Sequence, residues 1–155
     1  MSLTSVFLSE APIPPFFIAI LLLTITLVLV GVGPIAAALG GWTKLSKLYP
    51  APQTFGGQKI RASGAMGIAN YGFSLLLGAD SRGLSMQTTG FVRTGHPALF
   101  VPWSDIRALE ASFFFNWRVF ITFSKAPEVV LRLRRETVLK LKELAGAPQA
   151  FPGIT

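Results

Sequence analysis

The sequence predicts one N-terminal transmembrane α-helix followed by a mainly-β domain of about seven antiparallel strands that ends in a capping helix. Three observations carry this. Residues 11–43 hold 33 consecutive positions without a charged side chain, and residues 16–30 are almost wholly Phe, Ile, Leu and Val. Beyond residue 57 the apolar positions alternate with a period of two, the spacing of half-buried strands. From residue 136 the period returns to that of a helix, with apolar side chains at Val138, Leu141, Leu144 and Ala145.

Apolar runs longer than ~18 residues reach across a bilayer. Residues 16–40 are read as the span. A Pro-rich lead-in at residues 1–15 precedes it, and Pro14 or Pro15 starts the helix, because a first turn leaves the missing N–H unpaired anyway. At its 1.5 Å rise per residue the span exceeds the ~30 Å hydrocarbon core, which calls for tilt or for a kink at Gly31-Val32-Gly33-Pro34. Past that break small residues recur at intervals of four: Gly33, Ala37 and Gly41, and again Ala36 and Gly40. A small-residue face admits a second helix at close range, so these positions are expected to contact another transmembrane subunit. Residues 41–57 read as an interfacial helix and linker. Trp42 and Tyr49 suit the headgroup level, Lys44 and Lys47 can snorkel to phosphates, and Pro50 stops the helix.

The β-domain is placed at residues 58–146. Strand patterns fall at residues 58–63, 70–78, 84–89, 98–102, 106–112, 117–123 and 129–133, with a hairpin loop at residues 64–67 and turn chemistry at residues 78–83. In the last strand Val129, Leu131 and Leu133 face one way, and Val130, Arg132 and Arg134 the other. Three consecutive Phe at residues 113–115 cannot all face inward from one regular strand. Either a bulge tucks them in, or Phe113, Phe114, Phe115 and Trp117 form a tip that meets a partner or the membrane. The tail at residues 147–155, with Pro148, Pro152 and Gly153, is expected to be floppy in isolation, and both chain ends to be held by neighbours in an assembly.

Charge adds a direction. All 14 Lys and Arg residues follow the span, and Glu10 is the sole charged side chain before it. Cationic flanks stay in the cytoplasm, which places the N-terminus outside and the C-terminal domain inside a bacterial inner membrane. A cleaved signal peptide is the competing reading, with Ala36-Ala37-Ala38 as the imitation cleavage site. It lacks the positive n-region, and its apolar core is too long. The densest basic stretch holds Arg132, Arg134, Arg135, Lys140 and Lys142. Beside a bilayer such a surface is explained by anionic headgroups, and nucleic acid is not expected as a partner.

Catalytic, metal and cofactor residues are not expected. The chain has no Cys, and its single His, His96, sits between Gly95 and Pro97 with no second ligand at metal spacing, so it reads as structural. Ser104 and Asp105 follow Pro102-Trp103 at a strand end, without the glycines of a nucleophile elbow. Residues 64–67 lack the Lys-Ser/Thr end of a phosphate loop.

Two motifs carry a resemblance. Leu77-Gly78-Ala79-Asp80-Ser81-Arg82-Gly83-Leu84 and Gly95-His96-Pro97-Ala98-Leu99-Phe100-Val101-Pro102-Trp103-Ser104-Asp105-Ile106 resemble bacterial single-span membrane proteins with a GRAM-like or pleckstrin-homology-like (PH-like) cytoplasmic domain. In that family a "G.D..GL" turn precedes a strand ending in "hPW.[DE]I". The likeness covers roughly residues 58–145 and implies a split, bent seven-stranded PH-like barrel closed by the C-terminal helix. It implies structural work for Gly78, Gly83, Trp103 and Asp105, and a fold alone does not give a function. The function expected is that of a non-enzymatic accessory or scaffolding subunit of a larger membrane complex, a photosynthetic or respiratory assembly being one such host. That expectation rests on the small-residue face, the Phe tip and the held tails. The alternative is a module that senses anionic lipid at the membrane surface.

Overall fold

Pro15 opens helix α1 (Pro15–Gly40) in a computed structural model that describes residues 13–52, 55–113 and 116–154. Pro34 removes one backbone bond to Val30, yet α1 continues through it. With a mean hydropathy of 2.8 over its most apolar stretch, α1 is long and apolar enough to cross a membrane, and an N-terminal signal sequence would meet the same description. Gly41 then sits in the left-handed region at φ 85°. It donates its N–H to the Ala38 carbonyl to end α1, and at once it caps α2 (Trp42–Leu48). Any side chain there would be strained, and a Cβ would come within 2.7 Å of Val129.

Among the described residues seven strands follow: β1 (Lys59–Met66), β2 (Ala69–Ala79), β3 (Gly83–Thr88), β4 (Leu99–Pro102), β5 (Ile106–Phe113), β6 (Asn116–Phe123) and β7 (Ala126–Arg134). Helix α3 (Arg135–Ala145) closes the order. The strands form one antiparallel half-barrel sheet in the order β4-β3-β2-β1-β7-β6-β5. The first hairpin is tighter than its glycines imply. Residues 64–66 stay in β1 because Gly64, Ala65 and Met66 find ladder partners on both sides, in β2 and in β7, so the turn shrinks to Gly67 and Ile68.

Alternate strand residues fill the core, among them Leu75, Leu77, Leu84, Met86, Val101, Ile106, Val119, Ile121, Leu131 and Leu133. Helix α3 lays Val138, Leu141 and Ala145 over β2, β6 and β7. On the other side the chain leaving α2 protects the β4 edge. The Tyr49 carbonyl accepts the Phe100 N–H at 3.0 Å, and the Ala51 N–H reaches the Ala98 carbonyl at 3.3 Å. An edge strand left open would invite pairing with another chain.

The tail overturns its expected floppiness. Ala147, Ala150, Phe151 and Ile154 are buried in the domain. The Phe151 ring stands edge-on to Trp103 with centroids 5.0 Å apart, Lys142 Nζ donates to the Ile154 carbonyl, and Gln149 Nε2 donates to the Ser81 carbonyl. Proline and glycine here shape a compact turn that sets Phe151 against Trp103.

Candidate functional site: a basic cleft beside the helix–domain joint

The last two turns of α1 are embedded in the β-domain. Gly33, Ala37 and Gly40 are buried, and Gly41 and Ala36 half-buried. A Cβ on Gly33 would strike the Thr94 carbonyl, and one on Gly40 would lie 3.0 Å from both the Met66 carbonyl and the Tyr71 hydroxyl. Of the residues assigned to a partner helix, Gly33, Ala37, Gly40 and Gly41 instead pack against the chain's own domain, while Ala36 lines open grooves. Small residues at intervals of four do mark close backbone approach, but the surface approached is the chain's own hairpin, loop and last strand.

Two of the residues assigned to the membrane interface move inward as well. Trp42 is fully buried, its Nε1–H donating to the Pro97 carbonyl at 2.9 Å, with Tyr71 and His96 against its ring. Tyr49 is buried beside Phe123, and its hydroxyl accepts the Lys125 N–H. Both ring types satisfy a wet rim or a core that offers one polar partner, and here the core supplies that partner. Lys44 pairs with Glu128, while Lys47 is exposed.

His96 belongs to this joint. Its Nδ1–H donates to the Thr94 carbonyl at 3.3 Å, which leaves Nε2 to accept the Tyr71 O–H at 3.0 Å. Burial pushes the Tyr71 hydroxyl up to about 12. Burial likewise lowers His96 below its ordinary 6.5, the backbone carbonyls of Thr94 and Val92 only partly opposing it. Because the folded state holds this imidazole neutral, its stability is complete above pH 6.5 and falls as the pH drops below that value. Urea midpoints of the full chain in mild detergent should therefore decline from pH 7.5 to pH 5.5, and His96→Asn should flatten the decline. An unchanged slope in that variant would assign the pH effect elsewhere.

The two sequence motifs lock together. Asp80 Oδ1 accepts the N–H groups of Arg82 (2.8 Å) and Gly83 (3.1 Å), and the Asp80 carbonyl accepts Trp103 Nε1–H at 2.8 Å. Burial alone would raise the Asp80 carboxyl. The Arg82 guanidinium and these N–H groups outweigh it and hold the carboxyl below its usual range. Asp105 faces Lys125 at 3.8 Å, and its carbonyl accepts the Ser124 N–H. His96 is not among the hydrogen-bond partners of Ser104 or Asp105. Among the described residues no three His, Asp or Glu gather as a metal site.

The basic stretch is divided by the fold. Arg135 pairs with Glu110, Lys142 bonds the tail, and Lys140 is exposed on α3. Arg132 and Arg134 instead join Arg118, from fourteen or more positions earlier in the chain, around a cleft of about 160 Å³ between β1, β6 and β7. In the ladder Arg118 stands directly opposite Arg134, and Arg132 follows on the same face of β7. Asn70 lines the cleft, and Arg132 donates to the Gly67 carbonyl, so the cleft borders the β1–β2 hairpin that carries α1. The described ion pairs use Asp80, Asp105, Glu110 and Glu128, all with other cations.

Of the expected aromatic tip, Phe114 and Phe115 lie outside the described residues, as do the side chains of Phe113 and Trp117. The sequence matches no family model, no curated protein and no solved structure. Fold and site together define the class: an apolar helix seated in a seven-stranded half-barrel, with three arginines converging on a cleft next to the seat.

Proposed function

We propose that the chain is a non-enzymatic, single-span membrane protein whose domain lies on the cytoplasmic face and binds the phosphate of an anionic lipid between Arg118, Arg132 and Arg134. The observation that carries this is the Arg118–Arg134 pair. Like charges directly across a ladder cost stability, roughly 0.2–1 kcal/mol. An anion between them turns that cost into binding. Cations after the span favour the cytoplasmic side, where the leaflet is anionic. The burial of Gly33 and Ala37 in the domain favours an anchor over a signal peptide, since cleavage after Ala38 would strip those residues from the fold. The strand order and closing helix support the GRAM-like or PH-like resemblance.

The accessory-subunit reading has less beneath it. Its small-residue face and its tail are turned into the chain's own domain. The lipid reading is tested with the full chain in neutral detergent. Added phosphatidylglycerol should raise the melting temperature in a salt-sensitive way, and phosphatidylcholine should not. Arg118→Ala should weaken the anionic lipid about fivefold, from about 1 kcal/mol per basic side chain. Without lipid the same variant should be as stable as the parent or slightly more so. Equal stabilisation by both lipids, or an Arg118→Ala protein that responds like the parent, would overturn the assignment.

A further inference from the structure

We infer that the domain is partly sunk into the bilayer through an apolar rim built from Ile68 at the β1–β2 turn, Phe73 on β2, and the outward side of α1 at Val32, Ile35 and Leu39. This rests on the membrane-anchor reading above. Ile68 and Phe73 are 77% and 74% exposed, the two most open large apolar side chains among the described residues of the domain. Both border α1. One groove is lined by Val32, Ile35, Leu39 and Ile68, and a neighbouring one by Val32, Ala36, Arg61 and Phe73. The two side chains thus extend the apolar surface of the helix onto the domain.

Length decides what covers them. The first buried position among the described side chains of α1 is Gly33, so the free helix runs from Pro15 to Val32, roughly 27 Å at 1.5 Å per residue. A hydrocarbon core is ~30 Å thick, and tilt shortens the projection of the helix further. If the free turns fill the core, the Thr94 contact of Gly33 lies at the core boundary. The next few ångströms, headgroup and interface, must then overlap residues 33–40, which run along the domain beside Ile68 and Phe73. No gap is left for a layer of water beneath the domain. Arg61 in the Phe73 groove is exposed, and from there a guanidinium reaches phosphates while its stem stays among apolar groups. The basic cleft shares Asn70 with that groove, which sets the arginines at headgroup depth. The rim aims the cleft.

The chain has no Cys, so single cysteines can be introduced and labelled without removing any. Four full-length variants carry an environment-sensitive fluorophore: Ile68→Cys, Phe73→Cys, Leu22→Cys in the free helix, and Leu109→Cys. Leu109 is 70% exposed on β5, the sheet edge far from β1 and β2 in the strand order. The variants are reconstituted in vesicles of phosphatidylcholine and phosphatidylglycerol that contain nitroxide-labelled lipids. Labels at 68 and 73 should shift to the blue and be quenched by nitroxides near the headgroup. The label at 22 should be quenched by nitroxides deep in the core, and the label at 109 only by a water-soluble quencher. If 68 and 73 behave as 109 does while 22 stays deep, the rim is wrong and the anchor stands. If 22 is not quenched by lipid, the anchor reading itself fails. Labels at 68 and 73 shielded from lipid and water alike would mean that a protein covers the rim, which also overturns the proposal.

Discussion

Trp42→Ala will lower the stability of the β-domain by about 3–5 kcal/mol, the usual cost of removing a large buried ring. The residue stands two positions beyond α1, where a tryptophan ordinarily marks a membrane interface and tolerates change. Here it is fully buried. Removing it opens a cavity between Tyr71 and His96 and leaves the Pro97 carbonyl without its donor. Trp42→Phe separates the two effects, because it keeps most of the ring volume and loses only the hydrogen bond, worth about 1 kcal/mol. Urea unfolding of the full chain in mild detergent, followed by the circular dichroism of the sheet, reads both. A loss below about 1 kcal/mol for the alanine variant would return Trp42 to the membrane surface.

The same residue shows what the sequence could and could not convey. Helix α1 is legible from the length of its apolar run, and the strands and α3 from their periods, and both signals are local. The partner of a surface is not local. Intervals of four in Gly33, Ala37 and Gly41 announce close packing whether the neighbour is a foreign helix or the chain's own hairpin. Amphipathic rings at Trp42 and Tyr49 fit a headgroup layer or a core with one well-placed polar group equally well. Only the fold chooses.

Arg118 was hidden for a sharper reason. The turn between β6 and β7 pairs Phe123 with Ala126, and a regular ladder from there would place Arg118 opposite Leu131. An irregularity between Thr122 and Phe123 shifts the register, so Ile121 takes Leu131 and Arg118 meets Arg134. A one-residue slip would have turned the arginines to the wrong face, and the observed three-residue shift is not written in any turn motif. The alternation of β7 did predict that Arg132 and Arg134 share the outer face. By contrast, Trp103 was legible as a structural residue in its motif, and its Nε1–H does bond the Asp80 carbonyl. The carboxylate that accepts the turn's N–H groups is Asp80 rather than Asp105, the residue the motif singled out.

Phe151→Ala will cost the domain about 3–5 kcal/mol, as large an effect as any in the chain, although it lies among the last residues of a Pro- and Gly-rich tail. Phe151 is fully buried against Trp103, yet its backbone sits in the left-handed region at φ 50°, which penalises any side chain by about 1–2 kcal/mol. That backbone persists because ring burial outweighs the strain. Phe151→Gly loses the same ring and relieves the backbone, so it should be less destabilised than Phe151→Ala by about 1 kcal/mol. The order of the two variants is what a docked tail demands. A tail held only by neighbouring proteins would leave both at parental stability in the isolated chain. A docked tail with an ordinary backbone would make glycine the worse substitution. Urea midpoints for the three proteins, with proteolysis near residue 149 as a measure of tail release, decide among these outcomes, and only alanine below glycine below parent fits the Trp103–Phe151 contact.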